Sequence, residues 1–348
     1  MNFELELGLD TFGDVTFNEK GEPKPYAEVI RDVVGEAVLA DQVGVSGITL
    51  GEHHRDDFAI STPETILAGI ATKTQNLRLA SGVTVLSSDD PIRVFQRFAT
   101  LDALSHGRAE IIVGRGSFTE SFPLFGYQLG DYEVLFEEKL NLLAEVLKEG
   151  PVTWQGSHRA PLSNQEVYPK SHSGQIRTWV GVGGSPESVV RTARYGFPLM
   201  LAIIGGAHER FAPYADLYRR SMEQLGQAPQ PIGLHSPGHI ADTDEQAIEE
   251  MWPHYEASFG RIGRERGWGP MTKEHYLNEA HHGALVVGSP ETVARKIANA
   301  LLALGASRFD LKYSTGPMSH GILMHSIELY GTKVIPMVRE MVAEKTPA

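Results

Sequence analysis

Three short stretches of this chain place residue types where they could do chemistry together. In GITLGEHHRDD (residues 47–57) an apolar run stops at Glu52, His53 and His54. Histidine titrates near neutrality and can serve as acid, base or hydrogen-bond donor. Side chains alternate between the faces of a strand, so a regular strand would turn only one of His53 and His54 toward a shared pocket. In AEIIVGRGS (109–117) Arg115 stands between two glycines, where a guanidinium could grip a phosphate through two parallel hydrogen bonds or close a salt bridge at a rim. In VGVGGSPESVVRTARYG (180–196), Gly183 and Gly184 let backbone approach closely, Ser185 can cap a helix and Pro186 suits its first turn. A helix amino end with the hydroxyls of Ser185 and Ser188 is a seat for a phosphate, or else an ordinary capped turn. Arg115 and this turn together would cradle a phosphorylated cofactor better than either alone.

The same inventory admits a metal site, because Glu52, His53, His54, His235 and His239 offer nitrogen and oxygen ligands and barrels host metal-dependent hydrolases. The first strand ends LGLDTF, however, without the histidines one residue apart that such hydrolases carry.

Positioning these residues requires elements, and the pattern supplies eight. Short apolar or β-branched runs at 5–12, 47–54, 77–86, 109–117, 178–185, 199–206, 232–241 and 308–316 each stop at a polar or glycine residue and lead into a helical pattern. The helices over 26–44, 91–107 and 132–150 are the clearest, the second opening with Pro91 behind Asp89 and Asp90. Eight βα units predict an α/β fold, a (β/α)8 TIM barrel forming one domain over 1–348, with a doubly wound open sheet as the rival. Insertions are expected after strands 4 and 7: a hairpin-like one at 151–177, and a lid at 259–289, read as a long loop with a short helix and with Gly260, Gly263, Gly267 and Gly269 as hinges. Barrel active sites lie at the carboxyl ends of the strands, where Asp10, Glu52, Arg115, His235 and Lys312 all fall.

Bulk properties narrow the classes further. A net charge of -13 argues against nucleic acid or an anionic membrane as partner, and zero cysteines remove thiol chemistry and disulfides. The start MNFELELGLD lacks a basic flank and apolar run, and a cytoplasmic protein is the default expectation.

The blocks GEHH (51–54), DPIRVFQRFATLDALSHGRAEIIVGRGS (90–117), FGYQLGDYEVLFEEKLNLL (125–143) and VGVGGSPESVVRTARYGFPLM (180–200), in this order, resemble the bacterial luciferase-like flavin monooxygenases. GSPETVARKIANALLALGASRF (288–309) is similar to the family's C-terminal region, so the resemblance spans most of the chain. It implies a barrel that binds reduced FMN at its carboxyl end and reacts with oxygen, through a peroxyflavin, to oxidise a small organic substrate. Carried over by residue, Arg115, Gly184, Ser185 and Ser188 would meet the flavin phosphate with the backbone of Gly116 and Ser117 assisting, and His53 would be the catalytic residue beside the flavin ring, as base or hydrogen-bond donor. Gly82 and Val83 match a place where relatives can bear a non-prolyl cis peptide. Phe12, Phe58, Phe118 and Tyr313 suggest an apolar pocket. Gly114 stands where the light-emitting α subunit has a reactive cysteine, a departure from that branch. The resemblance further implies a separate flavin reductase and a homodimer. Hydride transfer with a deazaflavin, a non-catalytic flavin-binding barrel or interaction subunit, and the metal hydrolase are the alternatives.

Overall fold

The computed structural model describes residues 3–18, 20–116 and 118–345. Eight strands alternate with helices: β1 (Glu6–Thr11), β2 (Gly47–Leu50), β3 (Arg78–Val85), β4 (Ala109–Gly114), β5 (Arg177–Val182), β6 (Leu199–Ala202), β7 (Ile232–Ile240) and β8 (Arg308–Lys312). Each pairs in parallel with its neighbours in chain order, and β8 returns to β1, closing the barrel. Closure settles the choice against an open sheet, because no barrel strand keeps an unpaired edge.

The helices form where the sequence places caps and apolar stripes. Asp90 caps the helix Pro91–Leu104, its carboxylate accepting from the amides of Ile92 and Arg93, and Val94, Phe95, Phe98 and Leu101 face the sheet at helical spacing. The helix Pro290–Leu304 ends at Gly305 in the left-handed region, which only glycine enters without strain.

Residues 152–165 form an antiparallel hairpin, Val152–Trp154 with Leu162–Gln165. Glu138, on the preceding helix, accepts from the backbone amides of Ser157, His158 and Arg159 at its turn.

Residues 259–289 hold more regular structure than the long loop with a short helix expected of them. The helix Asp244–Glu265 runs straight through Gly260 and Gly263, a second helix spans Lys273–His282, and Val286–Gly288 adds a short strand beside β7. Packing overrides the low helix propensity of glycine. Tyr255 stacks on Phe259 at 4.2 Å and meets Tyr276 at 5.2 Å, so the two helices share a small core of their own. Gly263 lies beside Trp268, whose amide donates to the Gly263 carbonyl at 2.8 Å. Residues 266–272 and 283–285 are the irregular links between these elements, and Gly267 (φ +71°) is the helix-ending glycine among the four. Among the described residues no helix is long and apolar enough to cross a membrane.

Candidate active site

A cavity of about 410 Å³ opens at the carboxyl ends of the strands, within the size range of small-molecule sites. Its lower wall is made of backbone. Gly82, Gly114, Gly181 and Gly183 all line it, and Val83 lies among them. A Cβ on Gly82 would stand 2.1 Å from Thr49 Cγ2, and one on Gly114 or Gly181 would stand 2.9 Å from a Val83 methyl. The glycines therefore make room for the side chains of Val83 and Thr49, and with Val83 they form one wall of a slot. The Gly82–Val83 peptide is cis.

Beside the slot, β2 ends at Leu50, and residues 51–54 leave the regular strand. This releases the alternation rule, and both His53 and His54 face the cavity. His54 pairs with Glu52 at 2.9 Å, while the other Glu52 oxygen accepts from the Val85 amide at 2.9 Å. That carboxylate ties the EHH segment to β3. His53 is held differently. Its ring lies 4.3 Å from Phe12, 4.7 Å from Phe58 and 5.2 Å from Phe118, and among the described residues no side chain hydrogen-bonds to it. Burial among these rings, with Lys312, His54 and Arg55 nearby, pushes its pKa down to about 3, so the imidazole is neutral at physiological pH. Such a ring donates a hydrogen bond well and accepts a proton poorly.

The aromatic expectation holds for three residues. Phe12, Phe58 and Phe118 line the cavity, whereas Tyr313 turns outward, fully buried, and donates to Glu36 at 2.6 Å. Tyr313 directly follows β8 and its odd position relative to Lys312 selects the outer face.

At the far end the wall runs from Arg115 and Gly116 to Gly183. Gly116 has φ +76°, and its carbonyl accepts from the Tyr132 hydroxyl at 2.9 Å. Arg115 pairs with Glu133 and lies 5.3 Å from the Tyr132 ring. The other Glu133 oxygen pairs with Arg191 at 3.2 Å, and Arg191 sits on the helix Pro186–Arg194. Ser185 caps that helix, its hydroxyl accepting from the Ser188 amide at 3.3 Å. Arg115 and Arg191, in the last turn of that helix, are thus joined through one carboxylate. Gly184 (φ +107°), Ser185 and Ser188 sit just beyond the cavity wall, and Ser117 lies outside the described residues. Two polar atoms here are buried without a partner, Ser188 Oγ and Arg191 Nη1. Arg191 carried no signal in sequence beyond its one-turn distance from Ser188.

Sequence reasoning marked 259–289 without singling out the residues of it that line the cavity, and it passed over Arg55. Phe259, Ile262, Arg266 and Trp268 line the cavity from the insertion after β7. Arg55, only 6% exposed, binds Asp57 at 2.9 Å, Glu120 at 2.9 Å and Glu265 at 2.7 Å. It ties the segments after β2, β4 and β7 together, and it holds the Glu265 carboxyl down to about 2. Of the metal candidates, His235 pairs with Asp10 and His239 with Glu250, and no group of three His, Asp or Glu among the described residues is arranged to hold a metal ion.

Residues 11–308 match the family model described as luciferase-like monooxygenase. The chain belongs to the luciferase-like monooxygenase family. It is accordingly an oxidoreductase enzyme. It is 28% identical over 224 residues to the N-acetyl-S-alkylcysteine monooxygenase of Bacillus subtilis, which covers 64% of this chain and 63% of that one. Its fold superposes with a TM-score of 0.77 on a type II Baeyer–Villiger monooxygenase, the oxygenating constituent of 3,6-diketocamphane monooxygenase of Pseudomonas putida in complex with FMN. The identity is 19%, with 96% of this chain and 98% of that one covered. An F420-dependent secondary alcohol dehydrogenase superposes with a TM-score of 0.73 at 16% identity, covering 97% and 100%.

Proposed function

We propose that this luciferase-like enzyme binds reduced FMN in the cavity and uses oxygen to oxidise a small, apolar organic substrate. The observation that carries the reading is the slot over Gly82, Val83, Gly114 and Gly181, which is lined at one end by His53 and at the other by Arg115 and has glycines and Val83 along one wall. A flat ring fits such a slot, and a phosphate fits its far end. The unpartnered Ser188 Oγ and Arg191 Nη1, the helix amino end and Arg115 are donors without enough acceptors, which is what a dianion would satisfy. Gly116, Ser117, Gly184 and Ser185 would supply the surrounding backbone and hydroxyl contacts.

The bound flavin would supply two electrons to oxygen, one oxygen atom passing to substrate and one leaving as water. This chain's residues do the rest. Neutral His53 would donate a hydrogen bond at the ring edge. Phe12, Phe58 and Phe118 would hold an apolar substrate body and keep water away. Phe259, Ile262 and Trp268 would act as the lid, latched by Arg55 to Glu120 and Glu265. The family resemblance puts the source of electrons in a separate reductase. A homodimer completes the reading, and its mass in solution would check it.

The test is titration with reduced FMN under nitrogen, followed by stopped-flow mixing with aerated buffer. Saturable binding and oxygen-dependent flavin oxidation, accelerated or coupled to product by a panel of thioethers, aldehydes and cyclic ketones, is the expected result. Tight binding of reduced F420 with none of FMN would overturn it in favour of hydride transfer, a reading that one structural neighbour's cofactor keeps in view.

A further inference from the structure

Two histidines share the cavity, and their surroundings are opposed. His53 is enclosed by phenylalanines, whereas His235, in the middle of β7, is held by a carboxylate. Asp10 closes β1 on the far side of β8, and its side chain is 1% exposed. Its Oδ2 lies 2.7 Å from His235 Nδ1, and its Oδ1 is buried without a partner. The His235 ring lies nearly parallel to Phe12, 13° apart with centroids at 6.4 Å. Nδ1 is thereby set against the Asp10 carboxylate, and Nε2 has no partner among the described residues. The remaining charges facing the pair come from β8. Asp310, beside His235 in register, is engaged by Arg308 and Thr49, and Lys312, beside Asp10, is engaged by Asp14. On β6 the register neighbour is Ala202, which carries no charge. The Asp10 carboxylate is therefore the group placed to stabilise a proton on this ring.

We propose that His235 is the proton-transfer residue of the site, with Nε2 as the working atom and Asp10 as the positioning residue. The proposal rests on the flavin reading above. One dioxygen with the two electrons and two protons of a reduced flavin gives one oxygen atom to substrate and one water. A proton released early must therefore reach the departing oxygen, and without substrate the same two protons leave in hydrogen peroxide. His235 Nε2 takes up that proton, Asp10 stabilises the resulting imidazolium, and the proton is returned to the oxygen. His53, unable to hold a proton at neutral pH, is left with hydrogen bonding. Paired titratable groups set in contrasting environments are how one cavity separates such roles.

The first measurement needs no flavin: nitrogen-15 NMR of the histidine-labelled whole chain, with His235 assigned by the signals lost in His235→Gln. The expected tautomer has Nδ1 protonated and Nε2 bare, and Asp10→Asn inverts it. The second is stopped-flow oxidation of enzyme-bound reduced FMN, which should slow about 10²-fold in His235→Gln, the scale of general acid–base catalysis, with the dissociation constant for reduced FMN changed less than about threefold. A protonated Nε2 in the wild type, or unchanged oxidation by a variant that still binds reduced FMN, overturns the proposal. Failure of the wild type to bind reduced FMN overturns the flavin reading instead, and the tautomer then still reports on the pair. If a variant does not fold, the wild-type spectrum, assigned through the folded member of the pair, decides.

Discussion

The two ends of the barrel bury charge in opposite ways. In the interior toward the amino ends of the strands, Arg308 is 4% exposed and binds Glu110 at 2.5 Å and Asp310 at 2.8 Å. Arg177 binds the same Glu110 at 2.9 Å and Glu6 at 2.6 Å, and both guanidiniums lie over the Trp179 ring, at 4.6 and 5.0 Å. Burial alone would raise the Glu110 pKa, but Arg308, Arg177 and Arg78 hold it below the usual carboxylate range. Within this group the one buried polar atom lacking a partner is Trp179 Nε1. At the carboxyl ends, by contrast, Asp10, Glu120, Ser121, Ser188, Arg191 and Thr315 each keep a buried polar atom unpartnered. Unmade hydrogen bonds cost stability, so a cluster of them around a cavity marks where a ligand would complete the set. The lower network is closed on itself, and the upper one leaves polar atoms open.

The sharpest way to break this comparison is Arg308→Met, which leaves Glu110 and Asp310 facing each other with one fewer cation. We expect a loss of roughly 3–5 kcal/mol in denaturant unfolding, the scale for breaking a buried ion pair. A loss below about 1 kcal/mol would mean that the lower network is not what holds the barrel.

Arg115→Ala should do the reverse. Removing a charged hydrogen-bond partner is worth about 1.5–3 kcal/mol, so affinity for reduced FMN should fall at least about tenfold while the unfolding midpoint barely moves. Equal losses in both measurements would erase the division between the two ends.

Gly82→Ala tests the slot itself. Its new methyl meets Thr49 Cγ2, and overpacking of this kind costs about 1–3 kcal/mol. The smaller partner variant Thr49→Ser, combined with it, should recover part of the stability by thermal melting.

The smallest effect concerns protons. His208 is buried against Ser236, with its pKa pushed down to about 4 by burial, against an ordinary value of about 6.5 in the unfolded chain. Between these values the unfolded chain binds the extra proton, so the stability contribution is complete above about pH 6.5 and is lost as pH falls toward 4. His208→Gln should therefore close its stability gap with the wild type between pH 7 and pH 5. A gap that widens on acidification would reverse the assignment.

Local chemistry made much of this readable in advance. The eight strands could be counted because each apolar run stops at Gly, Ser, Asp or His, and parallel barrel strands, buried on both faces, are apolar nearly throughout. Asp90 before Pro91 and Ser185 before Pro186 announced helix starts because capping acts within three residues. Glycine misled in the insertion after β7, where Gly260 and Gly263 suggested hinges. Their conformational freedom is local, whereas the stacking of Tyr255, Phe259 and Tyr276 that keeps the helix intact is long-range. The roles of His53 and His54 were unreadable for a related reason. Whether they alternate depends on where pairing stops, and the register of β2 with β1 and β3 ends it at Leu50.

The sequence by itself determined the class of fold, the order of its elements and the set of polar residues gathered at one end, because period, caps and turn residues act over a few positions. Only the tertiary structure decided which of those residues meet. Asp10 and His235 are 225 positions apart and come into contact because barrel closure sets β1 and β7 on either side of β8. Desolvation likewise belongs to the assembled cavity: His53 becomes a neutral ring only when Phe12, Phe58 and Phe118, drawn from three different strand ends, enclose it.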